Sequence, residues 1–336
     1  MATVKDVARL AGVSLGTVSN VLNGKKNVKQ ATRDKVYQVM GELEFQYNMT
    51  ASSLRTKTTK NIGLVIPTIV NPYYPELSRG VEDVLIEENF TLFLCNSDRD
   101  KEKEMQYIRA LLSKGADGII LVKSKLDEKE LENIASRTKL VLVDYDSEKN
   151  IPYCCINVDD NKGIIQGMEL LEQYGHERIA FITGLKDAYS SICRIKSYEN
   201  CLRKRNISFR EEYMVEGKFS WISGYEAARQ LLSLPEPPTA IFAANDIMAM
   251  GAIRAVLDSG RCVPQDISVL GYDDIEMGNM CMPSLTTIHQ PKYRVGAEAA
   301  KLLLYELNKG NDFKTNILVE TRVIIRESVG KVFLNI

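Results

Sequence analysis

The 336-residue chain reads as an α/β protein, with an all-α headpiece of helix-turn-helix type followed by two Rossmann-like lobes. Three observations predict this. Two short apolar helical faces meet at Gly12, close to the amino end. Positive charge is concentrated in the same region: residues 1–60 hold ten Lys/Arg against four Asp/Glu, a net +6, which leaves −7 for residues 61–336 of a chain whose total is −1. From Asn61 onward, short apolar runs alternate with helical stretches, the pattern of parallel strands flanked by helices.

Val7, Ala8, Leu10 and Ala11 form the first helical face, and Gly12 ends it where a positive φ costs little. Ser14 then caps a second helix whose buried side is Val18, Val21 and Leu22. In a helix-turn-helix this second helix enters the major groove of DNA. An ordinary αα-hairpin is the alternative, but a basic end on an acidic body favours a nucleic-acid-binding module. A third helix is expected over Ala31–Leu43, with Val36, Val39, Met40 and Leu43 facing inward. The polar, Ser/Thr-rich stretch Gln46–Lys60 reads as a linker. Ten strands are expected beyond it: Ile62–Ile66, Thr91–Cys95, Gly118–Val122, Val141–Asp144, Cys155–Val158, Ile179–Ile182, Tyr213–Val215, Ala240–Ala243, Val269–Tyr272 and Thr286–His289. Helical stretches lie between them over Glu76–Asn89, Lys103–Lys114, Gly163–Tyr174, Arg194–Lys204, Gly224–Leu232 and Ile247–Ser259. The similar rhythm of the two halves suggests two sequential lobes, with one wide sheet as the alternative. Ligands of such lobes collect at the carboxyl ends of the strands, so two facing lobes would line one cleft.

The composition narrows the function. With 45% hydrophobic residues the chain can bury two or three cores. It shows neither the apolar segment of a secretory leader nor a run approaching the roughly 20 residues of a membrane span, so a cytoplasmic protein without membrane contact is expected. Cys95, Cys154, Cys155, Cys193, Cys201, Cys262 and Cys281 contain no C-x-x-C pair and read as reduced thiols, mostly buried. His176 and His289 stand far apart, so no metal site is expected. No phosphate-binding loop, dinucleotide fingerprint or nucleophile elbow occurs. His176 precedes a strand, away from the ends where catalysis in open α/β sheets lies. The chain is therefore read as a protein without enzymatic activity or cofactor.

Four tracts carry a family resemblance: Val4–Asn23; Thr32-Arg33 with Val36; Gly271-Tyr272-Asp273 with Pro283-Ser284-Leu285-Thr286-Thr287; and Gln290-Pro291 with Gly296 and Ala299. Over nearly its full length the chain resembles the lactose/galactose repressor (LacI/GalR) family of bacterial transcription regulators. The resemblance implies a helix-turn-helix headpiece over 1–46 and a hinge helix over 47–60. It further implies a core of the periplasmic-binding-protein-like type, with one lobe from 61–158 and 291–320 and the other from 159–290 and 321–336. A homodimer on a pseudo-palindromic operator, governed by a small-molecule effector, is expected. The chain shows no heptad tail, which favours a dimer over a tetramer.

The resemblance also assigns residues. Leu15, Gly16 and Asn20 fall where relatives read base edges; Leu15 can meet thymine methyls and Asn20 a base edge, whereas Gly16 offers no side chain. Thr3, Ser14, Thr17, Ser19 and Asn23 are expected to add polar contacts to DNA. In the hinge, Asn48, Ala51, Leu54 and Arg55 match the conditional helix, with Leu54 the wedge that enters a base step from the minor groove. Tyr47 replaces the usual Pro before the hinge and Ser52 an Arg, removing a fixed φ and a phosphate-binding charge. For the effector, the expected contacts are Asn71, Tyr73, Tyr74, Asp144, Asp159, Ser190, Arg194, Phe219, Asn245 and Asp273. Arg194 would fork two hydrogen bonds to hydroxyls or a carboxylate, while Tyr74 and Phe219 would stack on a ring. A sugar or sugar derivative suits this set. A purine corepressor is the second reading, although purine-binding relatives carry Arg where this chain has Ala188. A phosphocarrier protein partner is the third.

Overall fold

The computed structural model describes residues 2–22, 27–45, 58–146, 152–309 and 315–332. The chain separates into two compact units, Met1–Thr59 and Lys60–Ile336.

The first unit contains α1 (Val4–Ala11), α2 (Leu15–Leu22) and α3 (Gln30–Glu42). A reciprocal cap opens α1: Thr3 Oγ1 accepts from the Asp6 N–H at 3.3 Å, and the Asp6 carboxylate accepts from the Thr3 N–H at 3.0 Å. Gly12 closes it in the left-handed region, φ 61°. Ser14 Oγ accepts from the Thr17 N–H at 3.1 Å and opens α2 as expected. Val7, Ala8, Ala11, Val18, Val21, Val36 and Val39 form the core, with Met40, Leu22 and Leu43 packed against it. One expectation fails here: Leu10 is 55% exposed. The inward ridge of α1 runs through Val4, Val7, Ala8 and Ala11, and Leu10 lies roughly a quarter turn round from it.

The second unit begins with β1 (Asn61–Ile66), α4 (Tyr73–Glu87), β2 (Thr91–Asn96), α5 (Lys101–Ser113), β3 (Gly118–Val122), α6 (Glu128–Ala135), β4 (Lys139–Val143) and β5 (Cys154–Val158). It continues with α7 (Asp160–Gln173), β6 (Ile179–Thr183), α8 (Tyr189–Lys204), β7 (Met214–Glu216), α9 (Trp221–Leu232), β8 (Ala240–Ala243), α10 (Asp246–Asp258) and β9 (Ser268–Asp273). The last elements are α11 (Glu276–Met280), β10 (Thr286–His289), α12 (Lys292–Lys309), β11 (Asn316–Val319) and β12 (Arg322–Ile324). The strands form two six-stranded sheets, β11-β5-β4-β3-β1-β2 and β12-β10-β9-β8-β6-β7, which excludes a single wide sheet. Every pairing is parallel except β10 with β12.

Alternation along the first sheet shows why it carries helices on both faces. Ile62, Leu64, Ile66, Ile120, Val122, Val141 and Val143 pack on one side with residues of α4 and α12. Val65, Ile119, Leu121, Leu140 and Leu142 pack on the other with residues of α5 and α6. The chain passes between the sheets three times, from β5 to α7, from β10 to α12 and from β11 to β12. Since β5 neighbours β11 and β10 neighbours β12, the three passages cluster at one side of each sheet. The helices α4 and α12 cross at Gly80 and Gly296: a Cβ on Gly80 would lie 2.0 Å from the Tyr293 carbonyl oxygen, and one on Gly296 2.0 Å from that of Leu77. Four of the cysteines are buried, Cys193 and Cys281 are half-buried, and Cys262 is exposed.

Candidate functional site

On the first unit, the opening turn of α2 is its exposed face. Leu15 is 47% exposed although apolar, and Ser14 and Gly16 beside it are exposed. Leu15 is therefore no core residue. Ser19 and Asn20, one turn on, are half-buried. The hydroxyls of Ser14 and Thr17 share a hydrogen bond of 2.9 Å, and Thr3 Oγ1 donates to Asp6 at 2.7 Å, so these three groups are already engaged in capping. Asn23, Asn48, Ala51, Leu54 and Arg55 lie outside the described residues.

On the second unit, the carboxyl ends of both sheets line a cavity of about 400 Å³. Of the ten expected effector residues, Asp144 and Phe219 line it. Ser190 is linked to it through Lys123, whose Nζ donates to Ser190 Oγ at 3.1 Å and pairs with Asp144 at 2.8 Å. Lys123 follows β3 directly, and its ammonium stands 5.8 Å from the Tyr73 ring centre and 5.9 Å from that of Phe219. Burial alone would lower the pKa of Lys123, but the charge of Asp144 raises it.

The other seven expected residues do not line this cavity. Asn71 Oδ1 accepts from the Tyr73 N–H at 2.9 Å and shapes the turn into α4. Tyr73 and Tyr74 are buried edge to face. Asp159 caps α7 by accepting from the Lys162 N–H at 2.9 Å. Asn245 caps α10 through the Met248 N–H at 2.9 Å. Asp273 ends β9 with φ 126° and accepts from Gln290 Nε2 at 2.5 Å. Its pKa is raised by burial, against the opposing charges of Arg194, Lys123 and Lys292.

Arg194 is buried and already engaged within the protein. Only 2% exposed, it donates from Nε to Asp160 at 2.8 Å and from Nη1 to the Ala244 carbonyl at 2.5 Å, with its guanidinium 3.7 Å from the Tyr272 ring centre. Tyr272 also donates to Asp160, at 2.9 Å. This buried triad joins α7, α8 and β9. Asp160, next to the expected Asp159, is not among the residues the sequence singles out. Nor are Arg99, Lys101, Lys123 and Lys125, although Lys123 stands immediately after an apolar strand. His176 is buried far from these ends, held by Thr239, Ser268 and the Gly330 carbonyl, each at 3.0 Å.

A helix-turn-helix unit on a chain whose second unit carries paired parallel sheets defines a class, that of regulators built on a periplasmic-binding-protein-like core. Comparison with known proteins agrees. Residues 3–48 match the model of bacterial regulatory proteins of the lacI family, and residues 168–329 that of the periplasmic binding protein-like domain. The transcriptional repressor PurR of Aliivibrio fischeri (strain MJ11) is 38% identical over 333 residues, covering 98% of each chain. The lac repressor dimer bound to operator and the anti-inducer ONPF matches with a TM-score of 0.85 at 29% identity, over 98% of this chain and 99% of that one. A complex of the regulator CelR with cellobiose matches with a TM-score of 0.73 at 29% identity, over 98% and 100%. The chain belongs to the lacI family of bacterial regulatory proteins. It is a DNA-binding transcriptional repressor with an effector-binding domain, not an enzyme. Among the described residues, no helix is long and apolar enough to cross a membrane.

Proposed function

We propose that the protein binds a pseudo-palindromic operator as a homodimer, and that a sugar or sugar derivative in the interlobe cleft sets its affinity for DNA. In this reading residues 1–46 read a half-site through Leu15 and Asn20, and 47–60 form the hinge. The lobes are 61–158 with 291–320, and 159–290 with 321–336. A two-fold dimer matches an inverted repeat because each headpiece spans one half-site.

The observation that carries the effector reading is the cavity itself. Its volume falls within the range of about 300–1,000 Å³ usual for small-molecule sites. Strand ends of both lobes surround it with carboxylates, ammonium groups and the Phe219 ring, which suits vicinal hydroxyls on a ring. The cellobiose complex of a structural relative favours the same ligand class. A purine is the second reading; this chain has Ala188 where purine-binding relatives carry Arg.

Selection of bound duplexes from a random pool, with and without a panel of sugars, tests this. The expected result is enrichment of one inverted repeat, with an affinity that at least one sugar shifts by about tenfold or more, a typical allosteric coupling. Recovery of no palindrome, with or without any sugar, would overturn it.

A further inference from the structure

Building on the sugar reading, we propose that the effector is anionic, a sugar phosphate or sugar acid whose charged group is received by Arg99 and the opening turn of α8. Four cations line the cavity: Arg99, Lys101, Lys123 and Lys125. Three of them already have carboxylate partners. Lys101 pairs with Glu130 at 2.8 Å, Lys123 with Asp144 at 2.8 Å, and Lys125 with Asp187 at 3.0 Å. Arg99 has no carboxylate partner among the described residues; its guanidinium stands 5.1 Å from the centre of the Phe219 ring, to whose other neighbours Lys123 belongs. One further acid, the half-buried Asp146, also lines the cavity.

The second lobe adds donors at the same place. Ala188 and Tyr189, at the start of the 16-residue α8, line the cavity, and among the described residues no side chain caps this helix. Its first N–H groups thus carry the partial positive charge of the helix end toward the cavity lining. Ser191, in that first turn, is fully buried behind these lining residues, and its Oγ has no hydrogen-bond partner among the described residues. It lies against Gly184, beside the Phe219 ring. Among the described residues, a cation without a counter-charge on one lobe and an uncapped helix end on the other meet around one aromatic face. Uncapped helix N-termini receive phosphate and carboxylate groups, and a planar guanidinium receives either of them in bidentate fashion.

Isothermal titration of the full chain with matched sets separates the possibilities: a neutral aldose, its phosphate monoester and its uronic acid. The anionic members should bind about tenfold or more tightly than the neutral parent, as expected for a charge-assisted contact. Whether the phosphate or the carboxylate is preferred identifies the anion. Arg99→Gln should remove this advantage and Arg99→Lys restore part of it; retention of the advantage in Arg99→Gln would overturn the assignment. Neutral sugars that bind as well as their anionic counterparts would overturn the anionic proposal alone. Failure of every sugar, charged or neutral, would overturn the sugar reading and this proposal with it.

Discussion

Asp274 shows how one side chain ties the end of β9 to its surroundings. It accepts from His289 Nδ1 at 2.8 Å and from Arg326 Nη2 at 2.6 Å. Burial by itself would raise its pKa, but these donors hold it at about 2, against an ordinary 3.8. A carboxylate depressed in the native state contributes stability above its unfolded pKa and loses it as pH falls through the native value. The contribution is about 2 kcal/mol, lost between about pH 4 and 2. Asp274→Asn should therefore lower stability near neutrality by about that amount and flatten the acid arm of a urea-unfolding series. Asp246 and Asp273 work in the opposite sense. Burial raises both, and their mutual repulsion raises Asp246 further, so they add stability as pH falls from neutrality. Individual side chains were the least readable level of the sequence. The family resemblance places Arg194 as a ligand fork, but nothing in the sequence signals that Asp160 and Tyr272 close around it. Lys123 carries no distinctive signal, since a charged residue after an apolar run also describes a solvated loop.

Elements were far more readable. All ten expected strands are present, with ends shifted by a residue or two, because buried parallel strands are unbroken apolar runs bounded by polar turns. The strands β11 (Asn316–Val319) and β12 (Arg322–Ile324) do not stand out in the sequence: of their residues only Val319 is buried, so they lack the fully buried character of the core strands. The helices α6, α11 and α12 are also absent from the expected set, although Val295, Ala299, Ala300 and Leu303 of α12 are buried. The crossing of α4 and α12 is the most demanding contact between elements. Backbone meets backbone there with no room for a methyl group, so Gly296→Ala must push the helices apart. Overpacking of this kind costs about 1–3 kcal/mol, and the upper end is expected because the obstacle is the Leu77 carbonyl rather than a mobile side chain. Thermal unfolding of the variant should show the loss with little change in its far-ultraviolet circular dichroism.

For the whole molecule, the arrangement of two lobes followed from the doubled strand–helix rhythm, whereas the hinge rests on family likeness and lies largely outside the described residues. Its proposed wedge can still be tested. Leu54→Ala should weaken operator binding by at least about tenfold while leaving binding to random duplex nearly unchanged, since only a specific complex recovers the cost of unstacking a base step. Equal losses on both duplexes, measured by fluorescence anisotropy at matched salt, would remove the wedge. The three passages between the sheets have a mechanical meaning as well. Gathered beside β5, β11, β10 and β12, they act as the spine of a book, while β2 and β7 form its fore-edge. Arg99 follows β2, and Phe219 follows β7. A ligand grasped at that margin pulls with the longest lever arm the architecture offers, so a small displacement of the pages needs the least force there.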